Sequence, residues 1–479
     1  MGALEEIEHV IVLMLENRSF DCMLGKLYPA GPGFAGLTGT ETNPYQRSDG
    51  IVSLPVWQSP AMDPFAAIIP DPDPGEEFVD MNEQLFGPGL LRSSTQPTMT
   101  GFVANFMRQP PADRPYDPVA VMHHFTPDQV PVLSTLAKAF GVSDQWHASA
   151  PCQTWPNRFF AHTGTSLGHV DNSDFSIPFP APSIFGRLSD CGRSWRVYFH
   201  DLPQSIMLGD VWYRAFLHYR LFGQFLADAQ CGVLPNYSFI EPRYFSDLQL
   251  GIPSDQHPPH NVAVGEKLIA DVYNAVRSSP CWKKSLLIIT YDEHGGCYDH
   301  MSPPRAISPD GQGPPGFPFD GYGVRVPAVI ISPYVPPASI VRSAPAGTAY
   351  DAPPYPFDHT SIIATLNKLF NLGASLTKRD SAAPDIFGSL SLLYPTNDGP
   401  RSVACADPGV SQDVVRRACY AAPNAHQDAL SRMARLLPSG PLKAGAAMPA
   451  PQAIAVVGFH NVINAGLDAA SRVKSFLGI

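Results

Sequence analysis

Two runs of oxygen-bearing residues stand out because each follows an unbroken apolar segment. Residues 10–15 (VIVLML) lead into Glu16, Asn17, Arg18, Ser19, Phe20 and Asp21, and residues 286–290 (LLIIT) lead into Tyr291, Asp292, Glu293, His294 and two glycines. Continuous rather than alternating apolar runs fit strands buried on both faces. Sites in open α/β sheets form outside the carboxyl ends of the strands, so Glu16, Asn17, Asp292 and Glu293 are expected at one sheet edge. Three carboxylates and an amide make a hard-oxygen set that suits calcium, magnesium or manganese better than zinc. One divalent cation held between the two strand ends is the expectation. The plainer alternative is a pair of solvated turns.

Four further clusters carry polar chemistry. The segment 152–158 (CQTWPNR) places Thr154 just ahead of a proline and a helix-like FFAHTG run. A hydroxyl at a helix N-terminus lies in a positive partial field that favours its alkoxide and any oxyanion beside it, but the same residue could simply cap the helix. Asp255, His257 and His260 share one loop. Asp358, His359 and Thr360 open a helical pattern in which Asp358 could be only the cap. His200 and Asp201 follow the apolar WRVYF. His123 and His124 precede a helix and have no assigned role. A sulfatase-type cysteine needs C/S-x-P-x-R spacing, and Cys152 stands four positions before Pro156, so that chemistry is excluded.

The elements that must position these groups alternate between strand and helix. Residues 326–332 and 237–240 add weaker strand candidates. Helical periodicity runs from an N-cap at Thr126 with Pro127 behind it to Gly141, over 262–276, and over 358–370. Such alternation predicts an α/β sandwich with a mostly parallel central sheet. Residues 29–100 and 301–357 show no convincing period and read as long site-shaping loops. In the first of them, Pro64 and Phe65 with Ile68 and Ile69, and Leu85 and Phe86 with Leu90 and Leu91, could form a lipid-accepting rim or pack as a satellite core. Residues 405–479 return to helical composition over 414–420 and 428–437, giving a main domain over 1–400 and a helical extension over 401–479.

Composition narrows the function classes. The 479 residues include 44% hydrophobic and 16% charged residues, with 52 prolines and 38 glycines, which suits a large core with many rigid loops. The net charge of −11 and the lack of any basic run argue against a nucleic-acid partner. No stretch of about 18 apolar residues crosses a membrane. Eight cysteines without a CxxC pair permit disulfides and exclude a zinc ribbon. The N-terminus has no basic region followed by a small-residue cleavage site. It reads as a cytoplasmic chain, or as an exported one whose signal has been removed.

Six stretches together resemble the phosphoesterase family of non-specific, phosphatidylcholine-preferring phospholipases C and related acid phosphatases. They are residues 9–25 (HVIVLMLENRSFDCMLG), 153–165, 237–242 (YSFIEP), 255–269, 279–304 (with YDEHGGCYDH) and 357–363 (FDHTSII). The resemblance implies an alkaline-phosphatase-like α/β fold and metal-dependent phosphoester hydrolysis through a phosphoryl-threonine. It matches Glu16, Asn17, Asp292 and Glu293 to the metal ligands and Thr154 to the nucleophile. His257 and His200 resemble the histidines that contact the phosphoryl group and protonate the leaving group. His359 lies in a matching block as a further catalytic histidine, while Asn17, His300 and Asp255 are matched to substrate binding. The substrate expected is a phospholipid or small phosphoester, with transient membrane-surface contact. An acid phosphatase is the nearer alternative, and a non-enzymatic metal-stabilised surface protein the more distant one. One departure stands out: where the family often has a DPGH-like run, residues 73–77 read DPGEE, so Glu76 replaces a phosphate-site histidine.

Overall fold

The computed structural model describes residues 6–60, 65–89, 96–109, 117–173, 175–343, 354–442, 447–453 and 459–479. Pro64, Leu90 and Leu91 of the expected lipid rim lie outside them. One eight-stranded sheet organises the chain. Its strands are β1 (His9–Leu15), β2 (Gly141–Ser143), β3 (Trp195–Phe199), β4 (Tyr219–Leu221), β5 (Tyr237–Glu241), β6 (Ser285–Tyr291), β7 (Ala328–Ile331) and β8 (Ser339–Ile340). They lie in the order β8-β2-β7-β6-β1-β5-β3-β4. Only β7 runs antiparallel to its neighbours β6 and β2; the other pairings are parallel. Val10 through Leu15 and all of β6 are buried, so both faces of the central strands are covered, as their unbroken apolar runs require.

Two groups of helices supply that cover. In one, α2 (Pro131–Ala139) and α4 (Phe222–Cys231) pack on α5 (Val262–Ser278); in the other, α3 (Thr154–Thr163) packs on α6 (Thr360–Phe370). The 17-residue α5 buries Leu268, Ile269, Val272, Tyr273 and Val276 and leaves an exposed Lys267–Asp271 pair on its other side. Asn261 caps it, accepting from the Ala263 amide at 2.9 Å.

Several element boundaries differ from expectation for local reasons. The helix expected from Thr126 begins at Pro131, which takes the first helical position itself, while Thr126 closes a turn by accepting from the Val130 amide. Within the supposed loop 29–100 lie a hairpin, Thr42–Arg47 with Gly50–Pro55, and α1 (Phe78–Phe86), opened by a Glu77–Asp80 capping box. Leu85 and Phe86 are not a rim. They are buried with Phe102, Val103, Phe106 and Val121 in a satellite core, whereas Phe65 is exposed. The C-terminal segment folds as α7 (Gln412–Tyr420), α8 (Ala425–Ala434) and α9 (Val462–Leu477). It is helical as expected and shares the main core: Leu430, Met433, Val473 and Phe476 pack into it, with the Phe476 ring 5.4 Å from Trp212. None of the eight cysteines forms a disulfide, and no described helix is long and apolar enough to cross a membrane.

One buried carboxyl couples this packing to pH. Glu266 of α5 faces the start of α2, accepting from the Val132 amide at 2.5 Å and the Leu133 amide at 3.1 Å. Burial lifts its pKa from 4.5 to about 8, although both amides pull it down. A raised folded value contributes stability that is complete below the unfolded pKa and lost as pH climbs through the folded one. The thermal midpoint is therefore expected to fall more steeply between about pH 5 and 8 in the wild type than in Glu266→Gln, which keeps an acceptor oxygen. Parallel midpoint curves would show that Glu266 does not titrate in that window.

Candidate active site

The last residue pair of the β1–β6 ladder is Leu15 with Tyr291, so Glu16 and Asp292 leave the sheet side by side. The Asp292 amide donates to the Leu15 carbonyl at 3.1 Å, extending the ladder by one bond, and the Glu16 amide donates to the Asp255 carbonyl at 2.8 Å. The chain then turns sharply at Asn17, whose φ of 52° is left-handed, a conformation asparagine tolerates better than most residues. The Asn17 and Glu293 amides both donate to Asp292 Oδ1, at 3.0 and 2.8 Å, and the Gly295 amide donates to Glu293 Oε2 at 2.6 Å. Gly295 is obligatory: a Cβ there would lie 2.2 Å from the Asn17 carbonyl oxygen, and its φ is +59°.

Thr154 enters from the facing helix. It is the first residue of α3, behind the N-cap Gln153, so its hydroxyl is not a cap. It donates instead toward Glu16 Oε2 at 3.2 Å and Asn17 Oδ1 at 3.4 Å. One turn on, Arg158 is fully buried among acids, with Nη2 2.5 Å from Glu16, Nη1 3.2 Å from Glu241 and Nε 3.5 Å from Asp292. Gln204 also donates to Glu16 Oε1, at 2.8 Å. Burial nevertheless holds the Glu16 carboxyl well above the usual range despite Arg158 beside it, and Glu293 is raised by burial together with Glu76 and Asp292.

Glu76 stands in the site. Its Oε1 accepts from Asn17 Nδ2 at 2.6 Å and lies 3.3 Å from His257 Nε2. His257 is buried and donates Nδ1–H to the Pro258 carbonyl at 2.7 Å, leaving Nε2 free to turn toward the acids. Burial alone would lower its pKa, but Glu76 and Asp73 outweigh that and hold the imidazole well above its ordinary value. Asp73, Glu76 and His257 place ligand atoms within 4.8 Å of one another.

The remaining predicted residues take different places. Asp255 organises the loop, its Oδ1 accepting from the His257 amide at 3.2 Å and from His260 Nδ1 at 2.7 Å. His359 does not present a free nitrogen: Nε2–H donates to the Asp292 carbonyl at 2.6 Å and Nδ1 accepts from Trp146 at 3.3 Å. It braces the Asp292 backbone. His300 belongs to a separate clamp, where Asp21 receives its Nδ1 at 2.6 Å and Arg325 bridges Asp21 and Asp299, both at 2.9 Å. It does not line the Thr154 site. His200 follows β3, two strands from β1, with its ring stacked on Phe222 and Nδ1 on the Glu241 carbonyl at 3.0 Å. Burial lowers its pKa to about 4. Arg158, Gln204, Glu241 and His426 were not foreseen. Glu241 ends β5 beside β1, so the strand-end rule that found Glu16 could have found it as well.

Among the described residues the tight carboxylate–histidine groups that could hold a cation are Asp73, Glu76 and His257, and Asp21, Asp299 and His300; the expected ligands Glu16, Asp292 and Glu293 do not form such a group. Asp292 Oδ2 and Glu293 Oε1 are buried without hydrogen-bond partners among the described residues, although Oδ2 lies 3.5 Å from Arg158 Nε. A buried carboxylate oxygen such as Glu293 Oε1 is costly unless a positive charge or a donor meets it.

The chain belongs to the phosphoesterase family, whose model matches residues 7–373, and so to the phosphoric ester hydrolases. It is 39% identical to non-specific phospholipase C1 of Arabidopsis thaliana over 82% of this chain and 72% of that one. It is 27% identical to phospholipase C A of Mycobacterium tuberculosis over 83% and 79% of the respective chains. A solved structure of a protein in the alkaline phosphatase superfamily from Vibrio parahaemolyticus aligns with TM-score 0.32 and 13% identity, covering 53% of this chain and 64% of that one.

Arg158→Met tests the electrostatic core. Removing one partner from a buried ion network costs about 3–5 kcal/mol, and here three acids lose their cation together. A urea-unfolding loss of that order is expected, with activity abolished. A loss under about 1 kcal/mol would show that the acids are satisfied without it.

Proposed function

We propose that this phosphoesterase is a phospholipase C-type hydrolase that cleaves phosphodiesters of phospholipid head groups through a phosphoryl-threonine. The observation that carries the reading is the Thr154 hydroxyl, released from capping and aimed at Glu16 Oε2 and Asn17 Oδ1. The names of the two relatives support the substrate class. Glu16, Asn17, Asp292 and Glu293 would hold a divalent cation, whose contribution when bound is to neutralise charge at the phosphoryl oxygens and to acidify the Thr154 hydroxyl.

Thr154 Oγ1 attacks phosphorus and its proton passes to Glu16 Oε2, the acceptor it already faces. The bond from phosphorus to the glycerol oxygen breaks, and His257 Nε2 gives that oxygen its proton. Water then attacks the phosphoryl group and yields its proton to the now neutral His257. The P–O bond to Thr154 breaks and Glu16 returns the hydroxyl proton. Asn17 Nδ2 and the N-terminal field of α3 stabilise the charge that spreads over the phosphoryl oxygens.

Glu76 favours a diester over a monoester. A monoester bears up to two negative charges and a diester one, so a carboxylate at the phosphate pocket penalises the monoester more. Its own charge is shared with Asn17 and His257, which makes it tolerable there without making it neutral to a dianion.

Two expected outcomes follow from this reading. Thr154→Ala should lower kcat by about three orders of magnitude or more while costing about 1 kcal/mol of stability, and Thr154→Ser should retain activity. Exhaustive chelation of the wild type should abolish turnover reversibly; full activity of Thr154→Ala would remove the nucleophile. Separately, Glu76→His should raise the ratio of p-nitrophenyl phosphate to bis-p-nitrophenyl phosphate hydrolysis by about tenfold, in line with removing a like charge from a partly buried pocket. An unchanged ratio would mean that Glu76 does not set ester preference.

A further inference from the structure

Residue 426 lies beyond the stretch matched by the family model and outside every motif that marked the site. Its imidazole is nonetheless in the site. His426, in the first turn of α8, is 3% exposed, and its Nε2 lies 3.7 Å from Glu16 Oε2, the oxygen that also receives the Thr154 hydroxyl. The ring stacks on His257 with centroids 5.8 Å apart and planes inclined by 17°, and meets Tyr244 edge-on at 5.6 Å. Neither ring nitrogen has a hydrogen-bond partner among the described residues.

That placement is held firmly. The neighbouring Gln427 donates to the Tyr244 carbonyl at 2.8 Å, and the Tyr244 hydroxyl donates to Glu241, which pairs with Arg158. Ala429, Leu430 and Met433 of the same helix are buried in the main core. The chain thus spends a well-packed helix to keep an imidazole unsatisfied beside the nucleophile. An unpaired buried polar group costs about 1–3 kcal/mol, so a ligand that satisfies it is the economical explanation. His162 is also unpartnered, but it is packed against the rings of Phe185 and Phe239. His426 faces the same carboxylate oxygen as Thr154.

We propose that His426, supplied by the C-terminal segment, is a catalytic residue that hydrogen-bonds a non-bridging phosphoryl oxygen of the substrate. The inference rests on the phosphoesterase reading of the Thr154 site. It makes the C-terminal helices part of the active site, so the catalytic unit extends past residue 373, where the family match ends. The position in the first turn of a ten-residue helix adds a partial positive charge of the sign an anion needs.

The test uses the full chain carrying His426→Asn or His426→Phe, the second filling the space between Tyr244 and His257 without a donor. Turnover of p-nitrophenyl phosphorylcholine, calorimetric binding of inorganic phosphate, bound metal per chain and thermal midpoint are measured on the same preparations. Expected are a fall in kcat/KM of at least about tenfold and phosphate binding weakened about fivefold or more in both variants, the scale of one lost hydrogen bond to a charged group. Metal content and midpoint should stay at the wild-type level. Wild-type kcat/KM and phosphate affinity in either variant would overturn the inference, as would losses that follow missing metal or a collapsed midpoint in both. A wild type that hydrolyses no phosphoester would instead overturn the reading of Thr154, which the Thr154→Ala control reports independently.

Discussion

The parallel pairing of β1 with β6, in register to the last residue of each, is the constraint on which the site depends. Leu15 opposite Tyr291 sends Glu16 and Asp292 out of the sheet as neighbours, and the Asp292 amide still bonds to the Leu15 carbonyl. A slip of one residue would turn every side chain of a buried strand to the other face, and both strands are buried along their length. The apolar runs that look merely structural therefore fix where the acids stand. Asn17 and Gly295, in left-handed conformations on opposite sides, then fold the two loops tightly enough for the Asn17 and Glu293 amides to share Asp292 Oδ1 and the Gly295 amide to reach Glu293 Oε2.

Bringing those acids together creates an electrostatic problem that the rest of the site answers in part. Glu16, Glu241 and Asp292 converge on Arg158, which is itself fully buried. A buried arginine among three carboxylates is stable only because each partner compensates another. Glu293, whose Oε1 has no hydrogen-bond partner among the described residues, remains outside that balance. The surplus is confined to the edge where Thr154 arrives, so a cation and a phosphoryl group can enter as a pair that the folded chain has left room for in charge.

The sequence was most informative where chemistry follows local pattern. Strand ends, the helix opened at Thr154 and the matching family blocks all lie within short segments, and the structure gathers Glu16, Asn17, Thr154, Asp292, Glu293 and His257 at one edge. It was least informative where position depends on distant chain. The start of α2 moved because Pro131 competes with Pro127 for the first helical position. The helix at residue 78 was hidden by a surrounding run of prolines and glycines, although its Glu77–Asp80 capping box is readable in retrospect. Arg158 sits in a matching block, but its role emerges only once β5 and β6 bring Glu241 and Asp292 to it.

The histidines show why residue type alone does not assign a role. His257, His359 and His426 are all buried, and burial pushes each toward the neutral form. Glu76 and Asp73 reverse that push for His257 and favour its protonated form. His359 has both nitrogens occupied by Trp146 and the Asp292 carbonyl, so its tautomer is fixed and it can only hold the loop in place. His426 has neither constraint: no carboxylate outweighs its burial and no protein group takes its nitrogens. One side chain thus becomes an acid, a brace and an open donor according to what three separate segments place beside it. That division of labour is a property of the packing between the main sheet and the C-terminal helices, so a chain trimmed at the end of the recognisable family motifs would keep the acid and the brace and lose the donor.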